Sequence, residues 1–89
     1  MDIERFHNEL AMRLGYERIV HDKRITISVE ESDDPSVILK APGLKDIKFK
    51  PSEQNKSMEK DAWLDYQDSL TLIFDAAHQA YIMASKTLF

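Results

Sequence analysis

Residues 57 to 86 constrain this chain more than any other stretch, because they contain neither Pro nor Gly, the two residues that interrupt helices. At 100° per residue, Trp63, Tyr66, Leu70, Ile73, Phe74, Ala77, Ala80, Tyr81, Ala84 and Leu88 fall on one broad face. Asp61, Asp65, Asp68 and Asp75 fall opposite them. The pattern predicts one long amphipathic helix over 57–86, with Ser57 as its N-cap and Glu59 and Asp61 in a first turn where negative charge suits the helix dipole. The wet side is not purely polar: Leu72, Ala76 and Met83 lie beside the aspartates, next to Met58, and form a second, smaller apolar face.

A helix of about 30 residues is roughly 45 Å long. A compact chain of this size is only about 30 Å across. The helix is therefore expected either to break, near Asp75–His78, or to overhang its own domain and be covered by another chain. Ala76, Ala80 and Ala84 form an i, i+4 row of small residues that permits close helix packing. That row can serve the protein's own sheet or first helix, or the seam of a dimer.

Eighty-nine residues make one domain with a thin core, which gains from oligomerisation. With 43% hydrophobic residues the chain is expected to fold rather than remain disordered. It has no Cys, which excludes disulfides, thiolate zinc sites and thiol catalysis. No signal peptide and no apolar run of membrane-spanning length is seen, so the expected location is cytoplasmic. The net charge of −4 argues against a general nucleic-acid binder. The charge is nevertheless uneven. Residues 40–60 hold six lysines against Asp46, Glu53 and Glu59, whereas residues 61–89 hold four aspartates against Lys86.

In chain order, Asp2 can cap a first helix to about Leu14, in which Ile3, Phe6, Leu10 and Leu14 recur at helical spacing and Gly15 is placed as the left-handed terminator. Glu17–Val20 reads as a short strand and His21-Asp22-Lys23 as a tight turn. Arg24–Glu30 is the clearest strand, since Ile25, Ile27 and Val29 alternate with Thr26, Ser28 and Glu30. Residues 31–35 carry turn chemistry. Ser36–Ala41 is the next strand, Pro42-Gly43 suits the centre of a type II turn, and Asp46–Lys50 makes a short edge strand with lysines outward. The fold class that follows is α+β, in the order α-β-β-β(-β)-α: an antiparallel meander packed against an N-terminal helix and a long C-terminal helix, in a single domain over 1–89.

This order is similar to that of the double-stranded RNA-binding domain. That family carries a lysine cluster at the start of its second helix, facing phosphates. Here that helix begins Ser57-Met58-Glu59-Lys60-Asp61, so only the order of elements is shared. Small size, acidity and lack of motifs also resemble the small accessory proteins of phages, plasmids and bacterial operons.

Motifs for chemistry are sparse. There is no glycine-rich phosphate loop and no nucleophile elbow, so no catalytic residue, cofactor or metal is assigned, and no enzyme activity is expected. Glu4 with His7, and Asp75 with His78, sit three apart on helices. Each pair falls short of a metal's ligand count and reads as surface, as does His21. The expected function is that of a protein-binding or regulatory accessory module, a homodimer meeting another protein. Its interface is drawn from Trp63, Tyr66, Leu72, Ala76, Ala80 and Met83, the aromatics serving as contact anchors. The alternative is a nucleic-acid-associated protein using the Lys40–Lys60 patch, with Lys40, Lys45, Lys48 and Lys50 touching phosphates, although no aromatic residues alternate with them as a stacking platform requires.

Overall fold

A computed structural model describes residues 1–16, 24–53 and 62–86. It shows an N-terminal helix, a three-stranded antiparallel sheet and a C-terminal helix, the α+β arrangement expected. The expected strand Glu17–Val20, the turn His21-Asp22-Lys23 and the start of the long helix at Ser57 lie outside the described residues.

Helix α1 spans Ile3–Tyr16. Asp2 caps it, its carboxylate accepting from the Arg5 backbone N–H at 3.1 Å. The helix continues through Gly15, which is therefore not the left-handed terminator expected there. The helix runs one residue past Gly15, within the one or two residues by which helix ends vary.

Strands β1 (Thr26–Glu30), β2 (Ser36–Lys40) and β3 (Ile47–Phe49) form a meander in the order β1-β2-β3. Its register places Ile27, Leu39 and Ile47 in one row and Val29, Val37 and Phe49 in the next, so every apolar side chain in both rows lies on the face turned to the helices. Val37 and Leu39, on the central strand, are fully buried, whereas Ile27 and Val29 on β1 are half-buried. The turn between β2 and β3 is closed by Leu44 N–H donating to the Ala41 carbonyl at 3.2 Å, and Gly43 has φ +76° at its third position, as a type II turn requires. A Cβ at Gly43 would meet no atom within 4 Å, so backbone conformation and not space selects glycine there.

Helix α2 spans Gln67–Ser85 and is preceded by a single 3-10 turn at Leu64–Tyr66. It is unbroken through Asp75–His78. The interruption lies upstream, where Trp63 (φ −107°, ψ 24°) and Tyr66 (φ −112°, ψ 14°) leave the helical region for the bridge region. At about 28 Å, α2 is shorter than the roughly 45 Å expected of one continuous helix over 57–86, of which residues 57–61 lie outside the described residues. At this point the indole N–H of the fully buried Trp63 donates to the Lys45 carbonyl at 3.1 Å, which ties the approach to α2 to the connection between β2 and β3.

Helices α1 and α2 pack directly against each other, with Asp2 N–H donating to the Ala84 carbonyl at 3.2 Å, so α1 begins where α2 ends. Phe6 and Leu10 of α1 share one buried cluster with Leu70, Ile73, Ala76, Ala77, Ala80 and Ala84 of α2 and with the sheet's inner rows. The alanines let the two helices approach closely. Phe49 and Phe74 meet edge to face, ring centroids 4.7 Å apart, where the sheet joins α2.

Candidate functional site

The six residues expected at an interface divide into two groups. Trp63 and Ala80 are fully buried, and Tyr66 and Ala76 nearly so, all within the protein's own core. Tyr66 packs against Trp63, centroids 5.5 Å apart, and the Arg24 guanidinium lies 5.2 Å from its ring centre. In the single chain these four side chains are packed into the protein's own core and leave little or no surface for a partner. The alanine row lies in the protein's own core, in one cluster with residues of α1 and of the sheet. Leu72, 39% exposed, and the half-buried Met83 remain at the surface.

Further residues accompany them on the outward side of α2. Ile82 is 36% exposed, and Asp68, Asp75, Gln79 and the C-cap residue Lys86 are exposed, as is Asp65 in the 3-10 turn before α2. None of the three aspartates has a cationic partner among the described residues. Asp61, the fourth member of the expected acidic stripe, lies outside them. Ile82 was not foreseen because the count of apolar faces grouped Leu72 with Ala76. The i, i+4, i+7 spacing from Asp68 onward would have found it.

The lysines behave differently. On the outer face of the sheet, Lys48 reaches across β2 to Glu30 at 3.1 Å. Lys40 stands 3.8 Å from Asp46, and Lys50 3.4 Å from Asp34. Each of these three cations is matched by a local anion, which cancels much of the field a phosphate would meet. Lys45 has no acidic partner among the described residues, and its backbone carbonyl is committed to Trp63. Lys56 and Lys60, the rest of the basic patch, lie outside the described residues.

Asp34 lies in a cluster with Ser32, Ser52 and Lys50. The Ser52 hydroxyl donates to it at 2.7 Å and holds its pKa below the usual carboxylate range. Desolvation opposes this shift, and Lys50 adds to it. Ser32 bonds the Asp34 backbone on both sides, its hydroxyl donating to the carbonyl at 2.7 Å and accepting from the N–H at 3.2 Å, so the cluster shapes the β1–β2 turn.

Both helical histidines hold elements together. His78 donates from Nδ1 to the carbonyl of the buried Pro51 at 2.8 Å, tying α2 to the turn after β3. His7 stands 2.9 Å from Glu31, joining α1 to the loop after β1. Among the described residues no group of three His, Asp or Glu side chains is placed to hold a metal ion. His21 lies outside the described residues. No described helix is long and apolar enough to cross a membrane.

Compared with family models, with curated proteins and with solved structures, the chain has no significant match.

Proposed function

We propose that this chain is a non-catalytic, cytoplasmic protein-binding module that self-associates through the outward face of α2 and meets its partner in that form. The supporting observation is the composition of that face: two large apolar side chains, Leu72 and Ile82, stand exposed among aspartates that have no partner in the described residues. Exposed apolar groups framed by charge are what protein contacts use. The reading of a nucleic-acid-associated protein has less support, because three of its four lysines are engaged by carboxylates.

Light scattering over a concentration series tests the reading. The mass is expected to rise above 10.3 kDa at high concentration, and Leu72→Glu is expected to hold it at 10.3 kDa with an unchanged circular dichroism spectrum. A mass that stays at 10.3 kDa for the unaltered chain, together with a mobility-shift complex that weakens steeply with salt, would replace the proposal with the lysine-based one.

A further inference from the structure

The exposed stripe of α2 is Asp68, Leu72, Asp75, Gln79, Ile82 and Lys86. Its spacing alternates four and three, which keeps a stripe on one side of a helix facing a second helix. Lys86 completes it as the C-cap residue. Read from either end, the stripe is complementary to itself. Rotation by 180° about an axis at Ala77 places Leu72 opposite Ile82, Asp75 opposite Gln79 and Asp68 opposite Lys86, each twice.

We propose that the occupant of this face is the α2 helix of a second copy, packed antiparallel about a two-fold axis at Ala77. This rests on the self-association proposed above and specifies its register. Three properties favour it. The two apolar groups meet each other in both halves of an isologous contact. The acid near the start of one helix meets the base at the end of the other, where the antiparallel dipoles also attract. Asp75 finds an amide donor in the partner's Gln79 and not a second carboxylate. A parallel pairing would instead stack Asp68 on Asp68 and Asp75 on Asp75. Within one chain Asp68 and Lys86 are eighteen residues apart, about 27 Å along the helix, so they cannot pair internally. Six side chains offer less area than the roughly 800 Å² per partner of a standard interface. The dimer is consequently weak and forms at high concentration.

Cross-linking reads the register directly, because the chain has no Cys of its own. Leu72→Cys and Ile82→Cys are made separately, checked for an unchanged circular dichroism spectrum, and oxidised alone and mixed. The mixture is expected to give a disulfide dimer. Either variant alone is expected to give almost none, since equivalent positions lie about 15 Å apart along the axis in the antiparallel pair. Charge reversal provides a second readout: Asp68→Lys or Lys86→Asp alone is expected to raise the dissociation constant about tenfold. The double exchange should return it to within about twofold of the original. If the unaltered chain stays monomeric at millimolar concentration, both self-association and this register are wrong. If it dimerises but the mixture cross-links no better than Leu72→Cys alone, or the double exchange does not restore binding, self-association stands and this register is overturned.

Discussion

The outer face of the sheet and the outward face of α2 both meet water, and they arrange their charges in opposite ways. On the sheet, Glu30 with Lys48, Lys40 with Asp46 and Lys50 with Asp34 join oppositely charged groups across strands and loops. On the helix, Asp68 and Asp75, with Asp65 in the turn before it, share one sign, and among the described residues none of the three is joined to a base. The sheet face is satisfied from within and needs only solvent. The helix face keeps its field and its apolar groups, Leu72 and Ile82, available. The number of charges on a surface therefore says less about binding than whether each charge already has a partner.

Perturbations separate the two faces from the core beneath them, and the largest effect belongs to that core. Trp63→Ala should destabilise the protein by about 3–5 kcal/mol, most of the stability expected of a domain this small. Urea denaturation followed by circular dichroism measures it. A variant that kept its midpoint but lost self-association would restore Trp63 as a contact residue. Ala80→Leu should cost about 1–3 kcal/mol by pushing α1 and α2 apart, seen as a lower melting temperature. Lys48→Met on the sheet should cost less than about 1 kcal/mol and leave self-association unaltered. A change in the dimer there would mean that the sheet face is not self-sufficient. Leu72→Glu should move stability by no more than about 0.5 kcal/mol while abolishing association, which sedimentation equilibrium reports.

The smallest effect is a dependence on pH. Asp34 has a lowered pKa in the folded protein, so its contribution is present above the ordinary carboxylate value of about 4 and is lost as pH falls through the folded value. The difference in urea midpoint between the unaltered chain and Asp34→Asn should therefore shrink between pH 5 and pH 2.5. A constant difference would show that the Ser52 bond does not depend on the charge.

The sheet was legible because its information is local. Alternation in Arg24–Glu30, the Pro42-Gly43 pair and the alternation of Ile47, Lys48 and Phe49 in β3 each determine structure within a few residues. The first helix was legible for the same reason, through Asp2 and the spacing of Phe6 and Leu10. The start of α2 was not, since helical periodicity at Trp63 and Tyr66 competes with a hydrogen bond to Lys45, eighteen residues earlier, and no local pattern records that bond. The interface residues were half legible for a related reason. Periodicity groups Ala76 with Leu72, but tertiary packing decides that Ala76 is covered and Leu72 is not. Ion pairs such as Lys48 with Glu30 join strands β3 and β1 and depend on register, so the basic patch looked more available in sequence than it is in space.

Trp63 is also the protein's only tryptophan, which makes it an optical label built into the fold. Its indole is enclosed and bonded to the β2–β3 connection, so its emission is expected to shift to longer wavelength when that connection separates from the start of α2. The outward stripe of α2 does not include it. Tryptophan fluorescence should thus follow folding while remaining blind to association, so one unmodified sample can report the two equilibria separately when emission and mass are measured together.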